Sequence, residues 1–208
     1  MTIFLTGGRG GIGSTISKAL KQAGINVIEP TSKELDLSSN FKVDYKVEGF
    51  IHCAGVNHIK RHSDVTSEEF TNLFNTNTFS FVKLCGQLKF TPGSNIIAIG
   101  SLYSINTKEN RIQYTMSKHA MYGAVKTLAL EKSLEGIKVN MVSPGFVDTE
   151  MTRKNNSNDR LSYLEKNIPL GLVDAWEIAN LCVYLIKNNR AITGQNILVD
   201  GGASLKGI

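Results

Sequence analysis

Short apolar runs alternate with segments of helical periodicity along the whole chain. The apolar runs predict buried strands at residues 2–6, 26–28, 50–53, 95–99, 137–142 and 197–199. Between them, apolar residues recur every three or four positions and predict helices over 12–23, 66–89, 114–134 and 175–187. Strands that alternate with helices need crossover connections. The pattern therefore predicts an α/β fold: a doubly wound, Rossmann-type parallel sheet of about six to seven strands, with helices on both faces.

Nothing in the sequence divides the chain into parts. It has 208 residues, no internal repeat and no Pro/Gly/Ser-rich linker, so we expect residues 1–208 to form a single domain. Hydrophobic residues make up 41% and charged residues 20%, which is typical of a globular protein. No apolar stretch approaches the ~20 residues of a membrane span, and no secretion signal is seen. We therefore expect a cytoplasmic protein without a membrane partner.

Cysteine content and charge argue against three classes of protein: disulfide-stabilised, metal-binding and nucleic-acid-binding. Three widely spaced cysteines, Cys53, Cys85 and Cys182, predict neither a disulfide framework nor a metal site. The net charge is +5, but the basic residues are scattered and no nucleic-acid reading motif occurs. We expect no nucleic-acid partner, since an anionic cofactor explains the surplus charge equally well.

A glycine cluster lies between the first strand and the first helix. Five glycines fall within seven positions: Gly7, Gly8, Gly10, Gly11 and Gly13. Such a turn lets a pyrophosphate approach the free N–H groups and the positive dipole of a helix N-terminus. A flexible surface turn is the alternative, but the flanking strand and amphipathic helix favour a dinucleotide site.

Three polar residues near the middle of the chain, Ser101, Tyr114 and Lys118, have a spacing compatible with a catalytic site. Tyr114 and Lys118 are four apart on a predicted helix and share a face. Ser101 comes just after a predicted strand, and parallel sheets bind ligands at the carboxyl ends of their strands. Taken alone, the Tyr/Lys pair is equally compatible with a solvated helix face. Together the three residues predict a catalytic group over a nicotinamide ring.

The motifs, taken in order, resemble the short-chain dehydrogenase/reductase family. They are Thr6-Gly7-x-x-x-Gly11-x-Gly13, Cys53-Ala54-Gly55, Asn77, Ser101, Tyr114-x-x-x-Lys118, Pro144-Gly145 and Thr193-Gly194 with Val199-Asp200-Gly201-Gly202. Residues 144–202 are most similar to the 3-oxoacyl-(acyl-carrier-protein) reductase branch.

The resemblance implies a role for each matching residue. Tyr114 would be the general acid or base, Ser101 would bind the carbonyl oxygen, and Asn77 would kink its helix and support a proton relay. Lys118 would hold the nicotinamide ribose and lower the pKa of Tyr114. A phenol pKa of ~10 would have to fall by up to ~3 pH units, about 4 kcal/mol. One ammonium at ~4 Å, with an effective dielectric constant of ~20, supplies about that much.

The resemblance also implies a set of cofactor contacts. Asp36 and Leu37 would contact the adenine, and Pro144, Gly145, Val147 and Thr149 the nicotinamide. The remaining expected contacts are Thr6, Gly7, Arg9, Gly11, Ile12, Gly13, Thr31, Ser32, Cys53, Ala54, Gly55, Asn77, Tyr114 and Lys118. A mobile substrate lid is expected around residues 150–170.

The cofactor preference depends on the end of the second strand. Enzymes that use NAD place an acidic residue there to bind the ribose 2′-hydroxyl. Here Thr31, Ser32 and Lys33 occupy the matching positions, and Arg9 lies on the same side. We therefore predict NADP(H) as the preferred cofactor, with NAD(H) as the alternative if Glu29 reaches the ribose.

Several features depart from the family pattern. Residues 29–46 are too few for the two usual crossover segments, so one flank of the sheet should be thin. His52 stands where the family has asparagine, and we expect a weaker supporting hydrogen bond there. Pro92 and Glu135 stand where the resembling branch has the arginines that dock acyl carrier protein, so that partner is doubtful.

The favoured function is an NAD(P)-dependent oxidoreductase for a small-molecule ketone or secondary alcohol. A dinucleotide-binding regulator without turnover is the alternative, but it would not need Asn77, Ser101, Tyr114 and Lys118 together. The helix over 114–134 carries more apolar surface than one sheet face needs, which predicts a homodimer or homotetramer. The apolar residues concerned are Met121, Tyr122, Val125, Leu128, Ala129 and Leu130.

Overall fold

A six-stranded, entirely parallel sheet forms the centre of the computed structural model, which describes residues 1–207. The strands are β1 (Thr2–Thr6), β2 (Asn26–Ile28), β3 (Lys46–His52), β4 (Lys89–Ile99), β5 (Lys138–Pro144) and β6 (Asn196–Val199). Their order across the sheet is β2-β1-β3-β4-β5-β6. The order reverses between β1 and β3, and this is where an open α/β sheet forms its ligand crevice. The predicted doubly wound α/β fold is confirmed.

Helices cover both faces of the sheet. They are α1 (Gly11–Gln22), α2 (Ser67–Phe74), α3 (Ser80–Gln87), α4 (Ile112–Glu131), α5 (Glu150–Lys154), α6 (Asn158–Asn167) and α7 (Ala175–Asn188). One apolar core joins α1 and α7 to the sheet through side chains such as Leu20 and Leu185. A second core joins α3 and α4 to the opposite face through Phe81 and Met121. Burial of these two apolar stripes holds the three layers together.

The connection from β2 to β3 contains no helix, as its length predicts. In place of a crossover helix it forms two turns, and in the first of them the Thr31 hydroxyl accepts from the Glu34 backbone N–H at 3.3 Å. The Glu34 carboxylate in return accepts from the Thr31 N–H at 2.8 Å. This reciprocal pair normally begins a helix. The chain keeps the start of the crossover helix and omits its body, so β2 remains at the sheet edge.

The prediction of one continuous helix over 66–89 is wrong. A capping box between Thr66 and Glu69 begins α2, but Asn75–Phe79 form a π-helical turn before α3 begins. The segment ends at Gln87, and β4 starts at Lys89 rather than at residue 95. Lys89 pairs with Lys46 across the sheet, and pairing resumes where Asn95 lies opposite Gly49. Residues 91–94 between these pairs form a bulge in which Gly93 has a left-handed φ of +82°.

The apolar surface of α4 differs from its prediction. Met121, Val125 and Ala129 are buried in the core of the same chain and are not available to a second copy. Of the predicted residues, Leu130 is exposed on α4. Ile112 and Met116 are exposed on the same helix, and Phe79 and Val82 on the π turn and α3. In the described part of the chain, no helix is long and apolar enough to cross a membrane.

Candidate active site

The glycine loop packs too tightly to accept larger residues. Gly7 has a φ of +71°, and a Cβ there would lie 2.6 Å from the backbone nitrogen of Ala54. A Cβ on Gly13 would lie 2.1 Å from the carbonyl oxygen of Gly7. Helix α1 begins at Gly11 directly behind this loop. The N-terminus of α1 is thus brought to the carboxyl end of β1, where an anion is favoured.

A cleft of about 700 Å³ opens above this loop. Its volume lies within the usual range for cofactor sites, ~300–1,000 Å³. Sixteen of the residues expected to contact a dinucleotide line it: Thr6, Gly7, Arg9, Gly11, Ile12, Gly13, Thr31, Ser32, Asp36, Leu37, Cys53, Ala54, Gly55, Tyr114, Lys118 and Thr149. The close-packed glycine loop, the helix N-terminus and the size of the cleft together fit a nicotinamide dinucleotide.

A second, smaller cavity of about 120 Å³ adjoins the cleft. Ser101 lines this cavity, as do Pro144, Gly145 and Val147, which were expected beside the nicotinamide. Tyr114 and Thr149 line both spaces. Tyr114 therefore stands where the large cleft meets the small cavity, the position that a group acting between a cofactor and a substrate requires.

The electrostatics of Tyr114 differ from the expectation. Burial raises the pKa of its phenol, and the Ser101 hydroxyl and the Arg111 cation only partly oppose this effect. Lys118 Nζ lies 5.6 Å from the centroid of the Tyr114 ring. It donates instead to the carbonyl oxygen of Ile99 at 2.8 Å. The prediction that Lys118 lowers the pKa of Tyr114 is therefore wrong for this arrangement, because the ammonium is directed at a backbone oxygen.

Lys118 is itself strongly perturbed. It is buried at the floor of the cleft, and loss of hydration lowers the pKa of its ammonium to about 8. A Cβ on Gly55 would lie 3.7 Å from Lys118 Nζ and 3.4 Å from Asn77 Oδ1. Gly55 therefore separates these two side chains without filling the space between them.

Asn77 lies in the π turn and is completely buried, away from the walls of both cavities. Its amide nitrogen donates to Val56 O at 3.0 Å and to Ser117 Oγ at 3.1 Å. Its amide oxygen accepts from the Val56 N–H at 2.8 Å. Asn77 thereby fastens the segment after β3 to helix α4, which carries Tyr114. The expected helix kink is present, and it takes the form of the π turn.

His52 connects two parts of the site. The imidazole is fully buried, with Nδ1 2.9 Å from the Thr6 hydroxyl and Nε2 3.3 Å from the Asn77 carbonyl oxygen. Burial lowers the pKa of His52 to about 3, so the ring is neutral. The expectation of weakened hydrogen bonding at this position is wrong, because the longer side chain reaches a partner on each side.

Glu29 does not line the cofactor cleft, whereas Thr31, Ser32 and Lys33 do. Its carboxylate forms an ion pair with Lys21. Burial acts to raise the pKa of Glu29, but hydrogen bonds from Lys21 and Ser17 outweigh this and hold it below its usual value. A Cβ on Gly8 would meet Glu29 Oε2 at 2.7 Å, so the carboxylate packs against the loop backbone.

Sequence reasoning missed the charged residue of the small cavity. Arg111 immediately precedes α4, lines the cavity beside Tyr114 and is only 7% exposed. Its Nη1 donates to Asn57 Oδ1 at 2.9 Å. The only sequence signal was its place three residues before Tyr114. Residues 1–207 contain no group of three or more His, Cys, Asp or Glu side chains placed to hold a metal ion.

Known proteins resemble this chain over almost its entire length. A family model described as enoyl-(acyl carrier protein) reductase matches residues 36–204. The 3-oxoacyl-(acyl-carrier-protein) reductase FabG of Chlamydia trachomatis is 30% identical, and the match covers 97% of this chain and 96% of that protein.

Solved structures agree with this relationship. A short-chain dehydrogenase family protein of Francisella tularensis superposes with a TM-score of 0.81 at 27% identity, covering 98% of both chains. A mutant 4-hydroxyisoleucine dehydrogenase, solved with NADH and succinate, superposes with a TM-score of 0.84 at 25% identity and covers 99% of both chains.

Proposed function

This chain belongs to the short-chain dehydrogenase/reductase family, and from that premise we propose that it reduces a small, free ketone with Tyr114 as the proton donor. It is an oxidoreductase that transfers hydride between a nicotinamide dinucleotide and a ketone or secondary alcohol. The observation that carries the proposal is the position of Tyr114, which lines both the large cleft and the small cavity.

The chemistry divides between the cofactor and the chain. When bound, the dinucleotide supplies the hydride that adds to the carbonyl carbon. The chain supplies the proton: the Tyr114 hydroxyl gives it to the carbonyl oxygen, and hydride plus proton convert the ketone into a secondary alcohol. Ser101 positions that oxygen by a hydrogen bond. Burial holds the pKa of Tyr114 above its usual value, so the phenol carries the proton that the carbonyl oxygen receives.

Lys118, at the floor of the cleft, and Asn77, buried behind it, support this reaction. Lys118 would hold the ribose hydroxyls of the nicotinamide half, with its ammonium 5.6 Å from the centroid of the Tyr114 ring. Asn77 keeps α4 in place through Ser117 and Val56. His52 holds the Asn77 backbone against Thr6. Together these residues keep Tyr114 and Lys118 oriented while the substrate changes.

The substrate is small and is not delivered by a carrier protein. The cavity beside Ser101 measures about 120 Å³. Pro92 and Glu135, which replace the arginines that dock a carrier, also argue against delivery by one. Helices α5 and α6 form the lid, with Met151 lining both cavities. The buried side chain of Leu164, packed with Leu102 and Ile168, anchors the lid to the rest of the chain.

The cofactor preference is for NADPH. Lys33 and Arg9 line the cleft near the end of β2, and the Glu29 carboxylate is engaged by Lys21. The protein acts in the cytoplasm as a homodimer or homotetramer. The exposed apolar face formed by Phe79, Val82, Ile112 and Met116 supports self-association.

Cofactor binding and turnover test the proposal in two stages. Fluorescence titration with NADPH and NADH should give saturable binding of both. Loss of nicotinamide absorbance is then followed with a panel of short ketones, aldehydes and oxo acids, and at least one small ketone should be reduced. Binding without turnover of any carbonyl would favour a regulatory dinucleotide-binding protein, and absence of binding would contradict both functions.

A further inference from the structure

Arg111 places a buried positive charge in the small cavity. The side chain is 7% exposed and lines the cavity together with Tyr114 and Ser101. Within the described residues 1–207, none of the ion pairs includes Arg111. A buried guanidinium without a carboxylate is costly, because removal of the charge from water is not repaid by an opposite charge. Its retention beside the reacting groups calls for a ligand.

The groups around Arg111 do not neutralise it. The titratable side chains that act on it are the phenols of Tyr103 and Tyr114, and both remain neutral at physiological pH because burial raises their pKa values. Arg160 and Lys108 are the other charged groups nearby, and both are positive: Arg160 acts on Tyr103, and Lys108 is affected by Arg160 and Arg111. Burial consequently lowers the pKa of Arg111 from its usual value. An anion in the cavity would relieve this cost.

A hydrogen bond orients the guanidinium of Arg111 and leaves one edge of it, Nε and Nη2, for another partner. Nη1 donates to Asn57 Oδ1 at 2.9 Å, and this is the single side-chain hydrogen bond described for Arg111. The preceding residue, Asn110, has a left-handed φ of +62°, and its carbonyl oxygen accepts from the Lys60 N–H at 3.1 Å. The Nε and Nη2 donors remain for another group. These two donors form the planar edge that pairs with both oxygens of a carboxylate.

We propose that the substrate carries a carboxylate, which Arg111 binds while Ser101 and Tyr114 engage the ketone of the same molecule. The inference rests on the proposed function and specifies its substrate class: short oxo acids and the corresponding hydroxy acids. The cavity of about 120 Å³ corresponds to only about four water volumes of ~30 Å³. It accommodates a short chain between the two functional groups. The carboxylate takes no part in the chemistry and fixes which carbonyl is presented.

The test compares acids with their neutral esters. Calorimetric titrations use the NADP⁺ complex of the full chain with Tyr114→Phe, because the oxidised cofactor has no hydride to transfer and a ketone then binds without being reduced. The probes are straight-chain 2-, 3- and 4-oxo acids of three to six carbons and their methyl esters. We expect the best acid to bind at least tenfold more tightly than its ester. A structural role of Arg111 in holding Asn57 would not produce a preference between these two probes.

Two variants assign the preference to the guanidinium. In the same background, Arg111→Met should weaken acid binding at least tenfold and ester binding less than threefold, while Arg111→Lys should retain part of the preference. An unchanged dissociation constant for NADPH shows that each variant is folded. If Arg111→Met fails to fold, the test rests on the ratio of the dissociation constants for ester and acid. This ratio should be smaller in Arg111→Lys than in the protein with Arg111.

The inference is overturned if acid and ester bind equally to the Arg111 protein, or if no acid in the set binds. A preference that persists in Arg111→Met also overturns it. Failure of the proposed function gives a different result: the unmutated chain would bind no NADPH or would reduce none of the carbonyls in the wider panel. Reduction of neutral ketones without a preference for acids would leave the proposed function standing and remove only the substrate class.

Discussion

Lys118 directs its ammonium at the carbonyl oxygen of Ile99, 2.8 Å away, and not at the phenol of Tyr114. Ile99 is the last residue of β4, so the carboxyl end of a central strand fixes the lysine at the floor of the cleft. The hydrogen bond compensates part of the cost of burying the charge, and the remaining cost appears as a pKa of about 8. Burial of Lys118 therefore costs stability, which the proposed role in holding the ribose explains.

Lys118→Met should stabilise the protein while inactivating it. The ordinary pKa of 10.5 falls to about 8 in the folded chain, so the unfolded chain binds more protons between these values. The free energy of unfolding then rises with pH across this window, and the full burial cost applies below pH 8. At pH 7 we expect a gain of about 2 kcal/mol, after allowing for the lost hydrogen bond. Urea unfolding at pH 7 and pH 9.5 measures the gain and its pH dependence.

The matched control for this substitution is Lys126→Met, which removes an exposed ammonium from the same helix. It should leave both activity and the pH dependence of unfolding nearly unchanged. Equal free energies of unfolding for Lys118→Met and the unmutated protein at pH 7 would contradict the prediction. They would show that the hydrogen bond to Ile99 offsets the whole cost of burying the ammonium.

Tyr114→Phe should lower the rate of ketone reduction by about 10²- to 10⁴-fold, the usual contribution of a positioned proton donor. Binding of NADPH should change less than threefold, because the ring and its packing are retained. Initial rates with the best ketone and a fluorescence titration measure the two quantities. Tyr122→Phe, on the same helix but outside both cavities, serves as the control. Activity of Tyr114→Phe within a few-fold of normal would reassign the proton donor.

His52 should make the fold sensitive to acid. Its pKa is about 3 in the folded chain, against 6.5 as the ordinary value. Above pH 6.5 the ring is neutral in both states and its full contribution is present; as the pH falls from 6.5 toward 3, only the unfolded chain takes up the proton. Between pH 6.5 and pH 5 the protein should lose about 2 kcal/mol of stability through this group.

His52→Gln tests this acid sensitivity, since glutamine keeps hydrogen-bonding groups but does not titrate. Unfolding free energies at pH 5 and pH 7 should differ less in His52→Gln than in the unmutated protein. The exposed His119 provides the comparison through His119→Gln, which should retain the original difference. An equal pH dependence in all three proteins would place the sensitivity elsewhere.

Some elements of the fold could be predicted from the sequence and others could not. The bounds of β1 and β2 agree with prediction, because short apolar runs next to glycine leave few alternatives. The π turn at Asn75–Phe79 could not be predicted, since no glycine or proline marks it and it accompanies tertiary hydrogen bonds from Asn77 to Val56 and Ser117. Local sequence carries no record of partners that lie 21 and 40 positions away.

The same distinction applies to the candidate site. The residues with a fixed spacing, Tyr114 and Lys118, were found because a helix brings positions four apart onto one face. Arg111 was missed because an arginine in a connecting segment is usually solvated, and only the folded chain shows that it is buried. The effect of His52 was misjudged, since two hydrogen bonds to distant segments replaced the one expected to weaken.

Self-association should depend on the exposed apolar face of α3 and α4. Light scattering should give two or four times the 22.8 kDa of a single chain at micromolar concentration. A charge at the centre of this face should be costly to bury, so Met116→Glu and Phe79→Glu should each shift the mass toward one chain. Leu134→Glu, at an exposed leucine outside the face, should leave the mass unchanged. A single-chain mass for the unmutated protein would contradict the prediction.

Discrimination between the two nicotinamide dinucleotides should depend on residues just after β2. The dissociation constant should be lower for NADPH than for NADH at low ionic strength, because Lys33 and Arg9 attract the 2′-phosphate. Ser32→Asp should reverse the preference, so that NADH binds at least tenfold more tightly than NADPH. The new carboxylate repels the 2′-phosphate of NADPH and accepts a hydrogen bond from a ribose hydroxyl of NADH. Ser157→Asp, which adds the same charge in the lid, is the control. A lower dissociation constant for NADH than for NADPH in the unmutated protein would contradict the prediction and indicate that Glu29 binds the ribose 2′-hydroxyl.

The π turn has a consequence for how this chain tolerates insertions and deletions. One residue corresponds to about 100° of rotation around a helix, and a π turn holds one residue more than an α turn. In a continuous α-helix, the eight residues from the buried Leu73, before the turn, to the buried Phe81, after it, would place these two side chains about 80° out of phase. Loss of one residue here would restore a regular α turn and keep Leu73 and Phe81 in phase, but it would move Asn77 away from Val56. Segment length between α2 and α3 is thus as constrained as the catalytic side chains themselves.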